Sequence, residues 1–175
     1  RLTYFSKEDV QKMAYAATTI FDRPDLAEAI VFSAYTGVRQ SELLKLKVED
    51  IDLERDLIWI GGKPGRITKA SNVRSVFIHE QVKPILMNRL DRDYLFRDDW
   101  TNKDQLYGRF KKVRNHCGLP EDHVWHSLRH SFGTWLGEVC HPKQIQALMG
   151  HKNIETTLRY VKPTDDALRS AISAI

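Results

Sequence analysis

The stretch LMGHKNIETTLRYV, residues 148–161, decides how the rest of the chain is read. An apolar helix end runs into Gly150, which accepts the left-handed conformation that closes a helix and so turns His151 out of the helix direction. Asn153 is placed to cap a short new helix whose apolar side is Ile154, Leu158 and Val161, and Pro163 stops it. Tyr160 falls at a different angle around that helix, near its end, with its hydroxyl expected at the edge of the core and free to reach outward. A tyrosine so placed ordinarily packs. A histidine and a tyrosine at the two ends of so short a span can equally face one reacting atom, and what else the chain carries decides between the two.

The 175 residues suit one domain with enough volume for a core, and a hydrophobic share of 42% with a charged share of 29% describes a globular protein. No apolar run approaches the roughly 20 residues of a membrane span, and no signal segment opens the chain. It begins at Arg1, which suggests a piece of a longer polypeptide. Two cysteines, Cys117 and Cys140, are too few for a disulfide framework, so a reducing cytoplasm is the expected compartment. The net charge of +4 is mild, but its distribution is uneven. Lys63, Arg66, Lys69 and Arg74 lie between Leu57 and His79 with no acidic residue among them. GRFKKVRNH carries Arg109, Lys111, Lys112 and Arg114, again with no acid. Two basic segments suit a polyanion such as DNA, and they suit two solvated faces as well.

The chain reads as mainly α with one small sheet. In FSKEDVQKMAYAATTI, Ser6 and Asp9 form a variant capping box, and Val10, Met13, Ala14 and Ala17 share a helical face. Pro24 and Asp25 open a helix that is apolar on nearly every side, hence a core helix, which Gly37 ends. QSELLKLKV follows, capped by Ser41, with Leu43, Leu44 and Leu46 inward. DIDL, DLIWIGG and VRSVFI are rich in β-branched and aromatic residues and predict three antiparallel strands, the last two joined by the long loop KPGRITKASN. Helices return with EQVKPILMNRL and with NKDQLYGRFKKVRNH, whose buried stripe is Leu106, Phe110 and Val113. SLRHSFGTWLGEV, PKQIQALM, IETTLRYV and TDDALRSAISAI complete the chain.

Three further segments carry possible chemistry. In WHSLRH, His126 lies three residues before Arg129 and four before His130, so one helical turn brings them together. Ser127 can cap the helix there, and free N–H groups beside an arginine favour an anion. The same His-x-x-x-His spacing also fits zinc, with Cys117, His123, Cys140 and His141 nearby in sequence. Against zinc, an arginine intrudes and the glutamate of the metalloprotease motif is missing. In TGVRQSELLKL, Arg39 sits in the turn after a core helix, and Glu42 can hold it or anchor a histidine. A plain salt bridge explains that pair equally. Lys69, in ITKASNVRSV, has no acidic neighbour and can be either a solvated hairpin lysine or a proton donor.

Taken in order, TGVRQSELLKL, a hairpin lysine, HSLRH and LMGHKNIETTLRYV resemble the catalytic domain of the tyrosine recombinases, the family of phage integrases and Xer-type resolvases. The resemblance covers nearly the whole chain. It implies that fold, a single catalytic domain over residues 1–175, and a DNA-binding domain that precedes it outside this chain. It implies that Arg39 and Arg129 clamp the scissile phosphate, with His126 and His151 at the two histidine positions, Lys69 as the hairpin lysine and Tyr160 as nucleophile. Lys69 is preferred to Lys63 because it stands where the turn enters the last strand. Glu42 takes a supporting place, and His130 a position more often structural than catalytic.

The implied activity is site-specific DNA recombination through a 3′-phosphotyrosyl link, without ATP, metal or other cofactor. The implied partners are double-stranded DNA and three further copies, docked through a C-terminal segment in which Leu168, Ile172 and Ile175 share a face. The isolated piece is compatible with a monomer. The expected setting is the cytoplasm of a bacterial or phage-infected cell, on the nucleoid when bound to DNA. Two other functions fit parts of the pattern: a DNA-binding relative that does not cut, and a metal-dependent hydrolase built on His126 and His130.

Overall fold

Helix α1, Lys7–Thr19, begins where the capping box expects it: Ser6 Oγ accepts from Asp9 N–H, and Ser6 N–H donates to the Asp9 carboxylate, each at 3.0 Å. Its buried residues are Val10, Met13, Ala16 and Ala17, a face that packs on α2, Pro24–Thr36. The computed structural model describes residues 2–63, 73–100 and 102–161, together with residues 169, 172 and 173. Nine residues of α2 are buried, from Leu26 to Thr36, so this helix forms the centre of the core, as its nearly unbroken apolar sequence predicts. Gly37 ends it at φ 65°, a left-handed cap that only glycine adopts without strain.

After α2 the chain makes α3, Gln40–Leu43, which is much shorter than QSELLKLKV suggests. Ser41 does not cap it. Arg39 is the cap position, and its N–H donates to Glu42 Oε2 at 2.7 Å, so the carboxylate three residues on performs the capping. The sheet follows as β1 Ile51–Asp52, β2 Leu57–Ile60 and β3 Arg74–Phe77, antiparallel and in that order. Its register pairs Ile58 with Val76 and Ile60 with Arg74, so these side chains share the buried face.

Helices α4 Lys83–Met87, α5 Lys103–His116, α6 Trp125–Gly137, α7 Pro142–Met149 and α8 Ile154–Leu158 complete the described fold. In α5, Leu106, Phe110 and Val113 are buried, as the stripe predicts. α6 starts two residues earlier than expected. Val124 is its cap position, and Ser127 sits inside the first turn, where its Oγ accepts from Val124 N–H at 3.1 Å. α6 packs on α2, and α7 packs on both α6 and β3. The mainly α fold with a three-stranded antiparallel sheet is therefore as the sequence indicates. Among the described residues, no helix is long and apolar enough to cross a membrane.

One buried ion network sits between α4 and the segment before α5. Arg89, 1% exposed, donates to Glu28 Oε2 at 2.7 Å, and also to Asp99 and to the Leu95 carbonyl. Arg92 adds a second contact to Asp99 at 2.8 Å. Removing the central cation leaves two carboxylates short of their counter-charge. The expected result for Arg89→Met is a loss of about 3 kcal/mol, read as a lower urea midpoint at unchanged slope.

Candidate active site

Three arginines from three separate segments meet around one carboxylate. Arg39, in the turn between α2 and α3, gives Nη1 to Glu42 Oε1 at 2.8 Å. Arg74, the first residue of β3, gives Nη1 and Nη2 to the two oxygens of the same carboxylate, at 3.1 and 2.9 Å. Arg129, on α6, is 2% exposed and makes no ion pair among the described residues. It donates instead to the carbonyls of Gly37 and Met149, which lie at the C-terminal ends of α2 and α7. Gly37 O also accepts from Arg74 Nη2 at 3.3 Å, which ties the second and third arginines to one atom.

The charge balance of this cluster is unequal. Among the described residues three guanidiniums face a single carboxylate, which leaves two positive charges in a largely buried place. Burial alone would raise the Glu42 carboxyl, but hydrogen bonds and charge from Arg74, then those from Arg39, outweigh it and hold the group at about 2. Burial first, then the charges of Arg74 and Arg39, lower Arg129 to about 10, so it stays charged at neutral pH. Arg74 Nε is buried without a hydrogen-bond partner among the described residues. A cluster of this kind favours an anion that offers several oxygens, as a phosphodiester does.

The histidines and the tyrosine lie beside the cluster. His126 and His130, one turn apart on α6, meet edge to face with ring centroids 4.7 Å apart. His130 Nδ1 is 2.7 Å from Tyr160 Oη. His151 stacks on the Tyr160 ring, 5.9 Å between centroids and 9° between planes, and its Nδ1 is 2.9 Å from Thr157 Oγ1. The left-handed Gly150, φ 63°, makes the turn that carries His151 there, and it leaves room for Arg74, whose Cδ would lie 2.9 Å from a Cβ at that position. Burial is the main cause that lowers all three histidines, and Arg129 adds to it in each; His130 and His151 fall to about 4.

Several expectations change. Tyr160 is not at the edge of the core with a free hydroxyl: it is 7% exposed and packs with Ile145 and Met149, while Leu158, expected inside, is 50% exposed. The short helix turns Thr157 inward instead, because its hydroxyl is bound to His151. Arg74, expected among surface DNA contacts, is 5% exposed and forms the middle of the arginine cluster. Its signal was present in the sequence, since it alternates with Val76 and Ile78 on the inward face of a strand. Arg114, also expected to face DNA, is 4% exposed and holds the Glu121 and His123 carbonyls ahead of α6. Its place four residues after Phe110 puts it on the buried side of α5.

Arg109, Lys111 and Lys112 are exposed on α5. Lys63 follows β2, with its N–H on Asp50 and its Nζ 3.9 Å from Asp52. Lys69, Arg66, Leu168 and Ile175 lie outside the described residues. Cys117, His123, Cys140 and His141, the nearby metal-ligand types, do not join His126 and His130: among the described residues no three His, Cys, Asp or Glu side chains converge as a metal site.

Low pH tests the histidine environment through stability. His130 and His151 bind protons near 4 in the folded chain and near 6.5 when unfolded, so the unfolded state binds more protons in between. The stability they contribute is therefore complete above about pH 6.5 and is lost as pH falls toward 4. The thermal midpoint is expected to drop across that window, and His151→Asn to flatten the drop. A midpoint independent of pH from 6.5 to 4 contradicts the buried-neutral description.

Comparison with known proteins identifies the chain's relatives. The model of the phage integrase family matches residues 3–166. The tyrosine recombinase XerA of Thermococcus kodakarensis is 32% identical over 174 residues, covering 95% of this chain and 60% of that protein. A probable integrase/recombinase of Acholeplasma phage L2 is 30% identical over 132 residues, 73% of this chain and 45% of that protein. The chain thus spans about 60% of the length of the XerA protein it matches. Among solved structures, XerA recombinase superposes with a TM-score of 0.71 at 27% identity, covering 98% of this chain and 63% of that one. The catalytic domain of bacteriophage HP1 integrase superposes with a TM-score of 0.73 at 23% identity, covering 99% of this chain and 95% of that one, a likeness of fold. With a family match over nearly all its length, and three of its four motifs gathered in one site among the described residues, the chain belongs to the phage integrase family.

Proposed function

We propose that this chain is the catalytic part of a site-specific DNA recombinase in which Tyr160 attacks a DNA phosphodiester. The observation that carries the reading is the surplus of positive charge near the Tyr160 hydroxyl among the described residues: three guanidiniums and one carboxylate, with three histidines held toward their neutral form beside them. Arg39 and Arg129 bind the non-bridging oxygens, and Arg74 with Glu42 holds Arg39 in place. With Thr157 donating to His151 Nδ1, the other ring nitrogen of His151 carries a proton and donates to the same phosphate. The guanidiniums act where charge gathers as the phosphorus becomes five-coordinate.

As the bond from Tyr160 Oη to phosphorus forms, the bond from phosphorus to the 5′-oxygen breaks. The phenol proton passes to the histidine pair on α6, and Lys69 protonates the departing 5′-oxygen. The phosphotyrosyl link keeps the energy of the broken bond, so a 5′-hydroxyl from another strand can reverse the step. The partners in this reading are double-stranded DNA and further copies of the chain, and the setting is the cytoplasm.

Two other functions fit less well. A metal-dependent hydrolase needs His130 on an ion, whereas its Nδ1 is engaged by Tyr160 and no third ligand joins His126 among the described residues. A DNA-binding relative that does not cut has no use for a hydroxyl directed at a histidine beside three arginines.

The test is covalent capture on a randomised pool of nicked duplexes, in which the departing strand diffuses away. The unchanged chain is expected to give a protein–DNA adduct stable to detergent. Tyr160→Phe should give none while still retarding the duplexes in a gel. Adduct formation by Tyr160→Phe, or none by either protein on any duplex, sinks the reading. On captured sequences, Lys69→Ala is expected to slow cleavage about 10²–10⁴-fold. A 5′-bridging sulfur, which leaves as a thiolate without needing a proton, should restore most of that rate.

A further inference from the structure

Tyr160 is seated on α6 rather than carried freely on the end of α8. Three residues of α6 form the seat, spaced three and four apart and therefore along one face. His130 meets the hydroxyl at 2.7 Å. Gly133 lies under the ring: a Cβ there would stand 2.8 Å from Tyr160 Cε1 and 2.7 Å from Met149 Sδ. Gly137 faces the backbone, and a Cβ on it would run into the Tyr160 carbonyl oxygen. His151 lies over the ring in a parallel stack. The hydroxyl, the ring and the backbone of one residue are thus each matched by a separate feature of one helix.

We propose that His130 is a positioning residue for the nucleophile: through Nδ1 it fixes the place and direction of the Tyr160 hydroxyl, on a seat completed by Gly133 and Gly137. Each chain then holds its own tyrosine beside its own arginines before DNA arrives. The proposal rests on Tyr160 being the attacking group. It requires His130 to carry its ring proton on Nε2, so that Nδ1 accepts and the phenol donates.

Orientation, and not removal of the proton, is what the contact achieves in the free protein. Burial and the charges of His126, Arg159, Arg129 and His151 hold His130 at about 4, while burial raises the Tyr160 phenol above its ordinary value. Transfer between them is then strongly unfavourable. The phenol becomes acidic enough only as its oxygen bonds to phosphorus.

Two measurements test this. Nitrogen-15 spectra of the ring-labelled chain, without DNA, are expected to show His130 as the Nε2–H tautomer with Nδ1 accepting from Tyr160. The Nδ1–H tautomer overturns the proposal, whatever the chain does to DNA. Covalent capture then compares His130→Asn, whose side-chain oxygen can stand where Nδ1 stands, with His130→Gln and His130→Ala, which place no acceptor there. The expected order is a loss of about a hundredfold for Asn, which holds the hydroxyl but cannot take its proton, and about a hundredfold more for Gln and Ala. All three should hold the same helix content. Gly133→Ala should disturb the Tyr160 ring resonances and lower the adduct as well. Equal adduct from all three His130 variants overturns the positioning role and leaves the nucleophile assignment standing. No adduct from any protein, with the Nε2–H tautomer in place, overturns the recombinase reading and leaves the seat standing.

Discussion

The structure depends on a guanidinium buried with no carboxylate partner among the described residues. Arg129 is 2% exposed, and its two terminal nitrogens are held by the carbonyls of Gly37 and Met149. Those carbonyls lie at the C-terminal ends of α2 and α7, where helices carry acceptors without donors and a partial negative charge. One side chain of α6 thereby fixes the ends of two other helices. Neutral acceptors also leave its charge uncancelled, and a carboxylate in their place would have neutralised it. The two left-handed glycines, Gly37 and Gly150, are what let both chains turn away at once and leave the carbonyls free to point at Arg129.

From that constraint the rest of the site follows. Gly37 O is shared with Arg74, which reaches it from the first position of β3 and takes Glu42 as its main partner. Glu42 in turn caps α3 through Arg39 N–H and pairs with the Arg39 guanidinium. A single carboxylate therefore sets the geometry of two arginines and the start of a helix, and its depressed pKa records that load. Losing it would free Arg39 and Arg74 to repel Arg129.

The sequence made some of this legible and hid the rest for physical reasons. Helix α1, the core helix α2 and the stripe of α5 follow from capping and periodicity, which are local. The order of the four motifs pointed to the family, because each motif is short and contiguous. Arg74 and Arg114 were misplaced because charge was read as exposure, although strand alternation and helix spacing each put them on an inward face. The seat of Tyr160 could not be read at all. It joins α6 to residues about 30 positions later, and the small size of Gly133 and Gly137 has meaning only once another segment lies against them. A tyrosine two residues after Leu158 looked peripheral because the helix was assumed to bury its leucine, whereas it buries Thr157 to hold His151.

The same charges that suit the site to a phosphate also decide the state of its histidines. Arg129 helps to keep His126, His130 and His151 neutral, with burial as the larger cause. Neutral imidazoles serve a phosphoryl transfer in two opposite ways, as a donor through one nitrogen and as an acceptor through the other. In the proposed reaction His151, with Thr157 donating to its Nδ1, presents a donor to the phosphate, while His130, with Tyr160 donating to its Nδ1, accepts. In that reaction an anion held by Arg129 offsets one of the charges that, after burial, His126 and Arg159, hold His130 low, and so raises its basicity. It does so at the moment when the tyrosine oxygen begins to lose its proton to bond formation. In the proposed reaction, phosphate binding and proton acceptance are then linked through Arg129.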